Sequence, residues 1–397
     1  MRFGLAPIDD TAELKAVCHR LATERYITID TEFIRERSFW SRLCLVQLAG
    51  RDEAVAIDPL GPNLSLEPLF ALLIDERVLK VFHAARQDIE IFVHLMDRVP
   101  HPLFDTQIAA MVCGFGDSIA YDNLATKLAK VHLDKDMRFT DWARRPLTEK
   151  QIRYALDDVI HLRTIYDKLE ARLEKNGRVG WIAEEMAVLT EPATYRLDPQ
   201  VAWQRLKPRT RNPRTLAVLK AVAAWREREA QRLDVPRRRI LKDEGLPEIA
   251  ASAPRSVPEL ERVRGAGLGQ LAPAQRDGLL AAIADALAIP DSELPVPPAK
   301  EKPAHDVGPL VDLLKVLLKA NCEAAGVAHR LVAQSEDLEA IAAEEAPRVH
   351  ALSGWRYELF GKDALALKSG QAALAIERGR VRLIPRPRGE ASGAGTA

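Results

Sequence analysis

Tyr26-Ile27-Thr28-Ile29-Asp30-Thr31-Glu32-Phe33 begins as a strand and ends on two acids. From Tyr26 to Ile29 the residues are aromatic or β-branched, the types that fit a pleated, buried surface. Strand side chains alternate between faces, so Asp30 and Glu32 project the same way. Two carboxylates at that spacing repel, and one titrates high unless something positive lies between them. A hard divalent cation bound through oxygen is the usual remedy. A solvated acidic turn is the other reading of these eight residues alone.

Outward from this stretch the chain alternates. A helix is expected over residues 9–22, and strands at 26–30, 43–49 (LCLVQLA), 54–58 (AVAID) and 78–83 (VLKVFH). Helices are expected over 65–75 and from Ala84 onward. Three strands in a meander followed by a β-α-β-α alternation predict an α/β domain with a mixed sheet. The loop from Ile34 to Arg42 carries Arg35, Arg37, Phe39 and Trp40. Residues 104–173 read as mostly helical. In the last and longest helix Thr148 is the expected N-cap, and Ile152, Ala155, Leu156, Val159, Ile160 and Leu162 form the apolar face.

The chain has 397 residues, enough for two or three domains. It is 47% hydrophobic and 29% charged, an ordinary globular balance. Net charge is zero and the pI about 7.1, so global charge points to no partner. Cys18, Cys44, Cys113 and Cys322 form no C-x-x-C pair or zinc spacing, which predicts reduced thiols and a cytoplasmic location. The first ten residues lack a signal pattern, and no apolar run approaches the ~18–20 residues of a membrane helix.

Two further acids stand in telling places. Asp88 lies in VFHAARQDIEIF, at the start of a helix that follows a strand. Asp158 lies in RYALDDVIHL, four residues after Tyr154, so both share one helix face. Asp157 points about 100° away. Acids from a strand end, a helix start and a later helix can converge on two divalent metals roughly 4 Å apart, the arrangement that hydrolyses phosphodiesters. A phenol on the same face can orient the attacking water.

Together these residues resemble the ribonuclease D family, in the tyrosine branch of the DEDD 3′→5′ exonucleases. Asp30-Thr31-Glu32-Phe33 matches the first motif, His83-Ala-Ala-Arg-Gln-Asp88 the second and Tyr154-x-x-x-Asp158 the third. Flanking text also fits: LCLVQLAG, FDTQIAA at 104–110 and FTDWARRPLTEKQIRYALDDV at 139–159. The resemblance spans roughly residues 1–290. It implies a ribonuclease H-like exonuclease domain that removes 5′-mononucleotides from RNA 3′ ends. Asp30, Glu32, Asp88 and Asp158 would bind two Mg²⁺ or Mn²⁺, and Tyr154 would place the water. Its substrates would be structured RNAs such as transfer RNA precursors. A DNA exonuclease and an inactive RNA-binding scaffold are the rival readings.

Weaker expectations concern RNA contacts. Phe33 can stack on a terminal base or simply pack beside the strand. Thr31 can contact the terminal sugar through its backbone. His83 and Gln47 read as structural, and Trp142, Arg144 and Arg145 as either substrate contacts or a solvated face. Further on, residues 212–265 resemble the HRDC domain, carried by Leu219, Trp225, Arg226, Ala230, Leu233, Pro236, Ile240, Leu246, Ile249, Ala250, Pro254, Leu260 and Gly265. That family is a helical nucleic-acid-binding bundle. The segment from Arg196 to Lys242 is rich in base, including Arg237, Arg238 and Arg239, and suits a phosphate-tracking surface. The expected layout is an exonuclease domain at 1–190, an HRDC domain at 208–288, a linker at 289–309, a second HRDC-like unit at 310–386 and a disordered tail at 387–397. The chain is expected to act as a monomer.

Overall fold

The four expected strands and two short ones form one mixed sheet. In the computed structural model these are β1 (Arg2–Phe3), β2 (Tyr26–Ile34), β3 (Arg42–Ala49), β4 (Glu53–Ile57), β5 (Leu79–Phe82) and β6 (Leu103–Asp105), in the order β1-β4-β3-β2-β5-β6. The pairs β2–β3 and β3–β4 are antiparallel, while β1–β4, β2–β5 and β5–β6 are parallel. The structure describes residues 2–134, 136–137, 140–208, 210–263, 265, 267–296 and 307–386, without the side chains of residues 2 and 3. The expected tail at 387–397 lies outside the described residues, as does 297–306 of the expected linker.

β2 runs four residues further than expected. It pairs with β5 only over Tyr26–Thr28, but β3 accompanies it to Ile34, with a register shift between Glu32 and Phe33. Asp30 and Glu32 are therefore held within the strand, at the point where one of its edges opens. β1 and β6 were not expected, because two and three residues are too few to show a period.

Helices α1 (Thr11–Leu21), α2 (Glu67–Leu73), α3 (Arg86–Met96) and α4 (Thr106–Val112) cover one face of the sheet. Beyond α5 (Tyr121–Leu124), the long α6 (Glu149–Lys175) covers the other. It packs Ile152, Ala155, Leu156 and Val159 on Cys44, Leu45, Ala49, Ala54 and Ala56. Thr148 and Gln151 cap it reciprocally, as the sequence predicts for Thr148. α7 (Val179–Thr190) follows.

The HRDC-like segment is helical: α8 (Pro213–Leu233), α9 (Arg237–Ile240), α10 (Gly245–Ser252), α11 (Val257–Glu261) and α12 (Pro273–Ala288). They enclose Leu219, Trp225, Leu246, Ile249, Leu260 and Ile283. A third core forms around α13 (Gly308–Ala325). Here the apolar runs at the end of the chain make an antiparallel hairpin, β7 (Ala372–Glu377) and β8 (Arg380–Pro385), so this unit is not a plain helical bundle. It docks on α7: Trp355 stacks on Trp181 at 4.3 Å, and the buried Arg356 reaches Glu184 at 3.0 Å and also Glu185.

Candidate active site

Where β2 parts from β5, its even-numbered side chains face α6. The Thr28 hydroxyl donates to the Val159 carbonyl at 2.8 Å and fixes the helix on this face. One residue before Val159 on the helix is Asp158. Asp30, Glu32 and Asp158 each bring a carboxylate oxygen within 4.8 Å of the others. Asp88 sits in the first turn of α3, buried, and accepts a hydrogen bond from the Thr31 hydroxyl. The four expected acids thus gather as a group of three plus a tethered fourth.

Burial raises all four. It acts with the charge of neighbouring acids to push Glu32 up to about 10 and Asp158 up to about 8. Asp30 and Asp88 also lie well above the usual carboxylate range, from burial first, and then Asp30 from the charge of Asp158 and Asp88 from the charge of Asp30. No described cation contributes to any of these shifts. A half-buried group of acids with no described cation among them fits a hard divalent cation.

A pH dependence follows. A carboxyl raised in the folded chain stabilises it fully below the ordinary carboxylate range, and that stability is lost as pH climbs to the raised value. In EDTA, the cluster's contribution to Tm is expected to fall between about pH 4 and about pH 10. Added Mg²⁺ is expected to raise Tm more at high pH and to release protons on binding. Melting curves with and without the ion, and titration calorimetry in two buffers of different ionisation heat, check this. A pH-independent gap would remove these acids from the ion's site.

The acids open into a cleft of about 400 Å³, lined among others by Asp30, His83, Gln107, Tyr121, Tyr154 and Asp158. Tyr154 packs beside Trp142 with ring centroids 6.2 Å apart. Asp157 points away, as expected, toward His161 at 3.8 Å. Tyr121 was not anticipated. Its hydroxyl donates to the Asp157 carbonyl at 3.1 Å, and its ring meets His83 edge-on at 5.5 Å. Nothing in its local sequence marks it, since its role depends on a helix more than thirty residues later.

Asp105, seen in the sequence only as part of the FDTQIAA flank, organises the turn into α3. Ala84 there has φ 59, a left-handed conformation costly for alanine. The Asp105 carboxylate accepts from the Ala84 and Ala85 amides, both at 2.9 Å, and from Gln107 N at 2.7 Å. That holds in place the helix start that presents Asp88. Asp105→Ala is expected to lower stability by about 2–3 kcal/mol, because three amides lose their acceptor, the buried Ala85 N–H among them. It is also expected to depress turnover, with Asp105→Asn intermediate. Urea denaturation and a rate assay on both variants check this, and wild-type values for both quantities in Asp105→Ala would refute it.

Several expected RNA contacts are placed elsewhere. Arg237 makes a two-pronged bond to the buried Glu227 at 2.6 and 2.5 Å and lies 4.4 Å over the Phe39 ring. It braces the fold, because a buried carboxylate needs a cation beside it. Arg238 lies 3.5 Å from Glu244, and Arg239 is exposed. Arg145 grips Asp58 at 2.5 and 2.6 Å, and Trp142 is buried, so neither belongs to a solvated face. Arg144 is exposed. Phe33 is half-buried against the main core and Thr31 is buried. The loop after β2 is itself clamped: Asp234, at the end of α8, accepts from Phe39 N and Trp40 N at 3.0 and 2.9 Å. Trp40 in turn stacks on His94 of α3 at 4.1 Å.

Clustered acids and a phenol, in a cleft where β2 runs on past β5, are the groups that metal-assisted cleavage of a phosphodiester requires. The family model described as 3'-5' exonuclease matches residues 5–174, and the HRDC domain model matches residues 215–283. Ribonuclease D of Gluconacetobacter diazotrophicus is 53% identical over 378 residues, covering 95% of this chain and 96% of that protein. Ribonuclease D of Granulibacter bethesdensis is 52% identical at the same coverage. The crystal structure of Escherichia coli RNase D, described as an exoribonuclease involved in structured RNA processing, superposes with a TM-score of 0.80. It shares 29% identity and covers 93% of this chain and 99% of that one. The chain belongs to the ribonuclease D family. It is a 3′→5′ exoribonuclease with a nucleic acid substrate, and its family uses divalent metal. Among the described residues no helix is long and apolar enough to cross a membrane.

Proposed function

We propose that this enzyme trims the 3′ ends of structured RNA, transfer RNA precursors among them, using two Mg²⁺ or Mn²⁺ held by Asp30, Glu32, Asp88 and Asp158. The observation carrying this reading is the half-buried acid trio within 4.8 Å, with no described cation set against it. When bound, the ions supply an activated water and neutralise the leaving oxygen. The chain's own residues do the rest. β2 and α6 aim the carboxylates from rigid elements, Thr31 fixes one oxygen of Asp88, and Tyr154 holds the water in line from the same helix face as Asp158.

In this reading residues 1–190 carry the chemistry, and the HRDC unit at 208–288 tracks the RNA backbone. A linker over 289–309 then leads to an accessory unit at 310–386. Arg238 and Arg239 remain phosphate contacts, while Arg237 is withdrawn to its structural role. The four free cysteines suit a reducing cytoplasm.

The test is a time course on a 5′-labelled transfer RNA precursor with a 3′ extension, run with Mg²⁺, with EDTA, and beside a matched DNA strand. A ladder receding from the 3′ end of the RNA, only with metal, is expected. Retained binding without shortening in either Mg²⁺ or Mn²⁺ would overturn the proposal, and preference for the DNA strand would redirect it.

A further inference from the structure

Gln47 is fully buried, and neither its Nε2 nor its Oε1 has a hydrogen-bond partner among the described residues. Buried amides are almost always paired, and one left wholly unpaired destabilises the fold that contains it. Its place is specific. β2 and β3 pair antiparallel with Asp30 directly opposite Gln47, so the two side chains lie on the same face. On either side of Gln47 along the strand, Leu45 and Ala49 sit in the dry layer under α6, with Ala155, Leu156 and Val159 above them. Space filling alone would be served there by a leucine or methionine.

We infer that Gln47 is a positioning residue for the metal site: its amide N–H donates to the facing Asp30 carboxylate and sets the orientation in which that carboxylate meets a cation. This inference rests on the reading of Asp30 as a metal ligand and extends it. Groups that ligate metal are themselves held by outer hydrogen bonds that orient them. The choice of side chain follows from charge. Lysine or arginine opposite Asp30 would satisfy the acids and compete with the cation. Glutamate would add another negative charge beside three acids already gathered within 4.8 Å. A neutral donor orients the carboxylate without displacing the ion.

The test compares wild type with Gln47→Met and Gln47→Leu in two measurements. Mg²⁺ and Mn²⁺ affinity is measured by titration calorimetry, and Tm is measured in EDTA. The expected result is metal affinity lower by about 10- to 100-fold, the usual effect of losing such an outer partner. Tm in EDTA is expected to be equal to or above wild type, since an unpaired buried amide has been removed. Metal affinity within twofold of wild type in a folded variant would overturn the role of Gln47 and leave the acids in theirs. Failure of the wild-type chain to bind either ion would instead overturn the metal reading itself. Should neither variant fold, the side-chain ¹⁵N–H signals of Gln47 in the wild-type chain decide. A downfield shift on adding Mg²⁺ supports the new bond, and an unmoved signal refutes it.

Discussion

Asp30→Asn is expected to reduce turnover by on the order of 10³-fold or more while leaving the chain folded and able to bind RNA. The size follows from what a bound metal contributes, several kcal/mol of charge stabilisation in the transition state, at about tenfold per 1.36 kcal/mol. Asparagine keeps the volume and one ligating oxygen of aspartate but not its charge. Asp30 faces Asp158 and Glu32 within 4.8 Å, so the substitution weakens the cluster's hold on an ion at its centre.

The same substitution has an opposite effect on the empty site. Asp30 is half-buried, and its charge raises both Glu32 and Asp88. Removing it relieves repulsion, so Tm in EDTA at about pH 8 is expected to hold or rise. An inactive variant with an unchanged or higher Tm separates lost chemistry from lost folding. RNA affinity in EDTA is expected to stay within about twofold, because phosphate contacts from basic side chains carry that affinity. Turnover within tenfold of wild type would exclude Asp30 as a ligand.

How much of this site the sequence discloses depends on whether a role is local. Asp30 and Glu32 are legible because strand alternation alone places them on one face, and Tyr154 and Asp158 because one helical turn does the same. Both relations survive in the structure. Roles that depend on distant partners are not legible. Asp105 takes its importance from the Ala84 and Ala85 amides twenty residues earlier, and Tyr121 from the Asp157 carbonyl. Nothing local to either residue predicts them.

Arg237 fails for the converse reason. A run of three arginines reads as a surface, but Glu227, ten residues earlier on α8, is buried and needs a cation. The burial of an acid is a tertiary fact. Likewise the length of β2 depends on β3, which continues past the register shift at Glu32 and so keeps the acids inside a strand rather than at its tip. The sheet itself is legible because the meander and crossover leave repeated periods, while β6 is too short to leave one.

Tyr154→Phe is expected to lower kcat by about 10²- to 10⁴-fold, the range for a positioned proton donor or acceptor. Metal affinity and KM are expected to stay near wild type. The substitution discriminates sharply because phenylalanine keeps everything a packing role requires. Its ring can still lie 6.2 Å from Trp142 and cover the apolar layer of α6. Only the hydroxyl is lost, and Tyr154 lines the same cleft as Asp30 and Asp158, on the same helix face as Asp158. The second phenol in the cleft is a poor substitute, since Tyr121 spends its proton on the Asp157 carbonyl. Single-turnover kinetics with saturating Mg²⁺ isolate the chemical step from product release. A single-turnover rate within threefold of wild type would make Tyr154 a packing group, and the water would then be oriented by the carboxylates alone. A large fall at unchanged metal affinity would separate the two halves of the site: the acids hold the ions, and the phenol directs the water.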